Sequence, residues 1–419
     1  MGYDQLAVET TLAGMIADGQ KITEAEEGQE VYVVLPTTPF YAMSGGQAGD
    51  HGVITGATGK IVVDSTEKMP DGKYVHHGVV SGTIDAGETV TAQVDAAVRQ
   101  ATARNHTATH LLHKALREVL GDHVHQAGSS VDGQRLRFDF SHLTAVTDAE
   151  LAQVEQKVNE VILQAIPVNI FETGIEEAKK LGFTALFGEK YGDVVRCVQA
   201  GDYSMELCGG THVKNISEIG LFKVVSEGAV AAGVRRIEAV TGMGAYQYAL
   251  QKEQLVAELS RSLKSAEKDI VGRVEQLAAQ NKELEKEIAQ LHAAASKNQV
   301  DGLLDNVKEV NGVKVLACEV EAADMNSLRD MSDMFRDKLQ SGVVVLGAKS
   351  DSGVNLIVAA TKDLMQRGIH AGKMIKEIAK VTGGGGGGRP DMAQAGGKDY
   401  SKLADALNLA EGLVADQLK

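Results

Sequence analysis

From Tyr246 to Ala295 the chain carries no proline and a single glycine, and an apolar residue returns at every seventh place: Leu263, Ile270, Leu277, Leu284 and Leu291. Val274 and Ile288 fill the companion place four residues on, with Asn281 between them. A sequence of this kind fits a coiled coil or a helical hairpin, since a repeat of about 3.5 residues keeps returning the same side to one seam, and a lone seam Asn sets register. The seam Leu residues can pack on their own domain, pair within one chain or pair between two copies. The stretch divides 419 residues into two blocks, and at roughly 100–200 residues per domain the whole chain holds two to four domains.

In the first block, short alternating apolar runs at Val31 to Leu35, Val53-Ile54, Lys60 to Val63 and Thr89 to Val94 are broken by Gly and Asp-Gly turns. That is hairpin grammar and predicts a small β-barrel or sheet. Residues 97–120 place Ala and Leu at helical spacing and stop at Gly121, predicting one long helix. Strand text at Gln134 to Phe140, a helix at Thr147 to Ile166 and strand runs at Val194 to Val198 and Phe222 to Val225 extend an α+β layer. In the second block, Val313 to Val320, Val343 to Leu346 and Leu356 to Thr361 read as strands and Met325 to Leu339 as a helix, a separate α/β domain. The expected fold class is therefore α+β: β-rich residues 1–96, a metal-binding domain at 97–245, a helical linker at 246–298 and a C-terminal α/β domain at 299–419.

Composition narrows the function classes. A formal charge of -15 excludes binding polyanions by bulk attraction, so nucleic-acid contact needs a local basic patch. One such stretch runs from Lys362 to Arg389, with six Lys or Arg against two acids, and contains the six glycines Gly383 to Gly388. Those glycines read either as a flexible linker or as a backbone path for phosphates, and match neither the Walker nor the dinucleotide fingerprint. Three scattered cysteines, Cys197, Cys208 and Cys318, form no disulfide framework, and no apolar run approaches the roughly 18 residues of a membrane span. A cytoplasmic protein without membrane contact is expected.

The chemistry concentrates in two short strings. His106 and His110 lie four apart on the predicted helix, so both imidazoles share a face; Cys208 and His212 repeat the spacing across two glycines. Three nitrogens and one sulfur match tetrahedral zinc in type and number. The bland alternatives are a surface His pair and a buried small cysteine. A His-Glu-x-x-His metalloprotease pattern is absent, as are the His-x-Glu and Cys-x-x-Cys parts of a deaminase.

The strings TPFYAMSGGQAGD (38–50), RNHTATHLLHKAL (104–116), HVHQAGS (123–129), RLRFDF (135–140), ALFGEKYGDVVR (185–196), ELCGGTHV (206–213) and GVRRIEAVTG (233–242) together resemble the editing half of alanyl-tRNA synthetases, and GGGGGGRPDMAQAGG (383–397) resembles their last domain. The resemblance implies a module that hydrolyses seryl- and glycyl-tRNA(Ala), followed by a helical linker and a domain that holds tRNA and dimerises. It implies zinc on His106, His110, Cys208 and His212, with Thr109 and Gln126 lining the amino-acid pocket. The aminoacylation core of the family has no counterpart in these motifs, so no alanyl-tRNA synthesis is expected from this chain. Met43 departs from the pattern, which has Glu before the Ser-Gly-Gly-Gln turn. RNA affinity is expected from Lys373, Lys376, Lys380 and Arg389, and no DNA partner is expected. A non-catalytic tRNA-binding and dimerisation module, and a zinc that only staples the fold, stand beside the hydrolase.

Overall fold

The structure is a computed structural model that describes residues 2–184, 192–322, 324–350 and 353–418. Residues 185–191 of the ALFGEKYGDVVR string lie outside the described residues. The chain forms two compact units, Met1–Leu259 and Ser260–Lys419.

The first unit opens with β1 (Ala7–Thr11), β2 (Gly14–Ala17), β3 (Gln20–Ile22), β4 (Glu24–Ala25), β5 (Glu30–Val34), β6 (Gly52–Thr55), β7 (Gly59–Lys68), β8 (Tyr74–Gly82), β9 (Ile84–Asp85) and β10 (Thr89–Val94). Eight of them form an antiparallel sheet in the order β1-β10-β6-β7-β8-β5-β2-β3. The period-two alternation read in the sequence is its cause: Val90, Ala92 and Val94 point inward from β10 to meet Leu12, Met15, Val31, Val33, Ile54, Ile61 and Val63. The sheet does not close into a barrel. β3 is three residues long and pairs only with β2, after which the chain leaves for a separate two-stranded ladder of β4 with β9, while β1 pairs only with β10.

Helix α1 (Ala96–Leu120) starts at Asp95, whose carboxylate accepts the Ala97 and Val98 N–H groups, and ends at Gly121 in a positive-φ conformation. It is buried from Asn105 to His113 because elements cover it on several sides: β11 (Gln126–Val131), β12 (Leu136–Ser141), α2 (Asp148–Ile162), β13 (Val168–Gly174), α3 (Ile175–Lys180), β14 (Val194–Ala200), β15 (Ser204–Leu207), β16 (Phe222–Ala231) and β17 (Val234–Thr241) complete the unit's layers. Their sheets run β11-β12-β17-β16 and β13-β14-β15. Leu111, Leu112, Ala115 and Leu116 pack with Phe138, Phe140, Ile237, Val154 and Val158. A Thr147/Glu150 capping box starts α2, one residue after the predicted helix start.

The heptad stretch holds two helices in place of one continuous run. Helix α4 (Gly242–Leu263) ends where Lys264 takes a φ of 49° and the Ser265 N–H donates to the Ser260 carbonyl; α5 (Ile270–Leu303) then runs 34 residues. On α5 the seam residues Val274, Leu277, Leu284, Ile288 and Leu291 are exposed.

The second unit continues with β18 (Lys308–Val310), β19 (Val313–Glu319), α6 (Met325–Leu339), β20 (Gly342–Ser350), β21 (Gly353–Ala360), α7 (Lys362–Gln366), α8 (Ala371–Val381), β22 (Gly385–Gly388), β23 (Met392–Gly397) and α9 (Leu403–Gln417). The sheet order is β18-β19-β20-β21-β23-β22, with β19 and β20 parallel across the α6 crossover. The unbroken apolar run in β20 follows from helices on both faces. Phe335 and Leu339 cover Val344 and Leu346, while Ile375 and Leu407 pack in the cluster of Val343 and Val345. The glycine run is not a flexible linker. It forms edge strand β22, and a Cβ on Gly384 would stand 1.8 Å from the Gly396 carbonyl oxygen, one on Gly386 2.3 Å from Ala395 Cβ. Among the described residues no helix is long and apolar enough to cross a membrane.

Candidate functional site

The loop of residues 38–50 reaches α1 through a buried ion pair. Arg99 Nε lies 2.8 Å from Asp50 Oδ1, and Asp50 Oδ2 accepts the Tyr41 N–H at 2.6 Å. Gly49 permits the approach, since a Cβ there would sit 2.2 Å from the Thr66 carbonyl oxygen. This delivers Gln47, fully buried, to the middle of α1. Its Oε1 accepts the Thr211 N–H at 2.8 Å and faces His106 Nδ1 at 2.7 Å, while its Nε2 donates to Thr211 Oγ1 at 2.9 Å. With Oε1 as acceptor, the His106 proton belongs on Nδ1 and the Nε2 lone pair faces inward.

The inward side is where His106, His110, Cys208 and His212 meet, their ligand atoms all within 4.8 Å of one another. Cys208 Sγ is 3.3 Å from His106 Nε2 and 3.4 Å from His212 Nε2. A tetrahedral ion with bonds of roughly 2.0–2.3 Å spaces its ligand atoms roughly 3.3–3.8 Å apart, so the donor set fits such an ion in chemistry and in size. Helix periodicity stacks His106 and His110; the Cys208-Gly-Gly-Thr-His212 turn brings the other pair onto them, and Gly210 makes the turn fit, since its Cβ would meet His106 Cε1 at 2.0 Å. Arg196 braces the turn by donating to the carbonyls of Cys208 (2.9 Å) and Gly210 (2.8 Å).

Each imidazole has an outer partner. His212 Nδ1 is 3.1 Å from Thr107 Oγ1, which also accepts the Val213 N–H at 3.2 Å. His110 Nδ1 lies 3.6 Å from buried Glu206, whose other oxygen meets His113 Nδ1 at 3.0 Å. Carboxylate and hydroxyl partners of this kind fix ligand tautomers. Without an ion the charges are distributed accordingly. Burial opposes ionising Cys208, but His106, His212 and His110 hold its thiol well below the usual range. Burial likewise opposes protonating His110, yet Glu206 and Cys208 push it up to about 9; burial drives His212 down to about 3.

His106, His110 and Cys208 open on a cavity of about 420 Å³ also lined by Tyr41, Thr109, Gln126, Ser129 and Arg196, whereas His212 faces a neighbouring one. The structure thus brings Thr109 and Gln126 to the same cavity as three of the four clustered side chains. The Thr109 hydroxyl donates to the Asn105 carbonyl at 2.9 Å, and Gln126 Nε2 to Ser129 Oγ at 3.2 Å. Met43 does not line this cavity; its side chain is 57% exposed. In the other unit Lys373, Lys376 and Lys380 stand exposed along α8, opposite buried Met374, Ile375 and Ile378. Lys380 pairs with Glu377 and Arg389 with Asp391. Sequence reasoning missed Gln47, Thr107, Arg196 and Glu206 as partners of the site, although all four lie within the quoted strings.

Family models match three segments: "tRNA synthetases class II (A)" over residues 1–98, "Threonyl and Alanyl tRNA synthetase second additional domain" over 195–238, and "DHHA1 domain" over 312–416. Two of these descriptions are of aminoacyl-tRNA synthetase segments. The alanine–tRNA ligase of Pelotomaculum thermopropionicum is 52% identical over 420 residues, covering 100% of this chain and 48% of that protein, and that of Bacillus subtilis 51% identical over 419 residues with the same shares. The chain is homologous over its whole length to alanine–tRNA ligases and spans about half the length of the curated relatives it matches. A solved C-Ala domain of Aquifex aeolicus alanyl-tRNA synthetase is 28% identical, covers 26% of this chain and 97% of that chain, and has a TM-score of 0.25.

Proposed function

We propose that the first unit is a zinc-dependent deacylase for seryl- and glycyl-tRNA(Ala), the proofreading part of an alanine–tRNA ligase, acting in the cytoplasm. The observation that carries this reading is the convergence of one thiolate and three imidazoles beside a cavity that His106, His110 and Cys208 line together with Thr109 and Gln126, in a chain homologous to alanine–tRNA ligases. Held by His106, His110, Cys208 and His212, zinc would supply Lewis acidity and a fixed positive charge. The chain's own residues do the rest. Gln47 and Thr107 hold the imidazole tautomers, and Arg196 keeps the Cys208 turn in place. Thr109, Gln126 and Ser129 offer hydroxyl and amide groups to a substrate hydroxyl. A wall that bonds the serine hydroxyl is left with unpaired polar groups when alanine enters, the stronger form of discrimination.

The same reading divides the chain into residues 1–96 and 97–245 for editing, 246–298 as linker and 299–419 as a tRNA-holding and dimerising part. Lys373, Lys376, Lys380 and Arg389 would contact phosphate, and the exposed α5 seam would pair two copies. A second reading, a closed structural zinc in a non-catalytic tRNA-binding module, is favoured by the four protein ligands and by the Thr109 hydroxyl being already bonded to its own helix. The deciding experiment is the deacylation rate of seryl-tRNA(Ala) beside alanyl-tRNA(Ala), with Cys208→Ala as control. Loss of the seryl ester alone, abolished by the substitution, is expected. Survival of the seryl ester at the uncatalysed rate, in folded zinc-loaded protein, would leave the second reading.

A further inference from the structure

We propose that a second groove on the first unit seats the unpaired nucleotides that precede the esterified end of the RNA strand. The proposal rests on the deacylase reading for the direction of the strand and not for its binding. The groove measures about 830 Å³ and shares Tyr41, Ser44 and Gly209 with the 420 Å³ cavity, so a strand whose 3′ end enters the cavity can leave along it.

Its chemistry is that of a single-strand platform. Two lysines, Lys68 and Lys73, line it and no carboxylate does, in a chain of formal charge -15. Tyr3 and Tyr74 are 46% and 38% exposed within it. Tyr3 is fixed in place: its hydroxyl donates to the Gly209 carbonyl at 2.7 Å, its ring lies 6.3 Å from that of Tyr41, and the Arg196 guanidinium stands 4.2 Å from its centre. Lys68 Nζ is 6.0 Å from the centre of the Tyr74 ring, both at the base of the β7–β8 turn. Lys73 pairs with Asp71 at 2.8 Å, but both groups are exposed, and such a pair exchanges readily for a phosphate. Held aromatic faces beside cations bind successive bases by stacking and the backbone by charge, without reading sequence. A cavity beside the Cys208 turn, lined by Arg196 and His212, sets Asp4, Glu172 and Glu218 against its cations Arg99, Arg196 and Lys214, and so offers a phosphate backbone less net attraction.

The test uses uncharged ligands and the full chain: binding of adenosine monophosphate and of a four-nucleotide strand ending in CCA, by calorimetry at two salt concentrations. Wild type is expected to bind the strand at least ten-fold more tightly than the mononucleotide. Tyr74→Ala and Lys68→Glu are each expected to remove most of that gain without moving the melting temperature, with Lys73→Glu as a further exposed variant. Lys68→Glu should also flatten the salt dependence by about 0.7 in log K per log salt. Strand binding unchanged in all three variants overturns the groove, as does equal competition by polyglutamate, which would make it a site for acidic peptides. A wild type that hydrolyses no ester but shows these binding losses sinks the deacylase reading and leaves the groove standing.

Discussion

At the scale of single residues the cluster of His106, His110, Cys208 and His212 was legible because a helix turns paired spacing into a shared face, and two such pairs together suit one ion. Gln47 was not, since it lies 59 positions before His106 and is brought to it by the Arg99–Asp50 pair and by backbone bonds to Val131. Nothing in chain spacing encodes that approach. The residue with least freedom is Gly210. In Gly210→Ala the new methyl would stand 2.3 Å from His106 Nδ1 and 2.8 Å from Gln47 Oε1, prising apart the bond that sets the tautomer. Metal affinity is expected to fall roughly 10- to 100-fold, the usual cost of losing an outer partner. Competition against a chromophoric chelator measures it, and an affinity equal to wild type would show that Gln47 does not orient His106. Gln47→Leu should do similar damage by another route. It leaves the Thr211 N–H and His106 Nδ1 buried without an acceptor, at about 1–3 kcal/mol, read from the urea midpoint.

Elements were legible where a period marks them. The period-two runs of the N-terminal sheet and the length of α1 follow from pattern and caps, but closure of a sheet depends on whether distant edges meet, which no local pattern states. The glycine run has no pattern at all, so its strand could not be foreseen. Its two faces should now respond differently: Gly386→Ala is expected to destabilise the second unit by about 1–3 kcal/mol through overpacking on Ala395, whereas Gly385, with open space beside it, should tolerate Ala. Equal urea midpoints for the two variants would contradict the edge-strand placement. In β8, His76 is fully buried, edge-on to Phe40, with its Nδ1 3.2 Å from the Val33 carbonyl oxygen and its Nε2 2.8 Å from Thr38 Oγ1. Burial pulls it down to about 4 against that carbonyl's upward influence. Between about pH 6.5 and 4 the unfolded chain therefore binds the extra proton. This contribution is full above pH 6.5 and declines as pH falls, by on the order of 3 kcal/mol at pH 4. The difference between wild type and His76→Gln isolates the effect from the rest of the chain's ionisations. Parallel stability curves for the two proteins would show that His76 carries no such proton linkage.

For the whole molecule, the sequence announced two blocks around a helical stretch, and the described residues form two units with separate cores. His106 and Cys208 are 102 positions apart and meet at one point, so an ion there ties α1 to the strand β15 and its following turn, closing a long loop. A ligand held at a thousand times its dissociation constant stabilises the folded state by about 4 kcal/mol, and for a unit of this size each kcal/mol moves the melting point roughly 2–4 °C. Removing metal should therefore lower the transition of the first unit by about 10 °C. The second unit, which contributes no ligand to this set, should melt where it did. Calorimetry of the full chain before and after chelation measures the shift. Hydrogen exchange assigns each transition, with Phe138–Phe140 reporting the first core and Val343–Leu346 the second. A shift common to both would mean that the units unfold as one cooperative body, and no shift in either would mean that the four ligands hold no ion that matters to the fold.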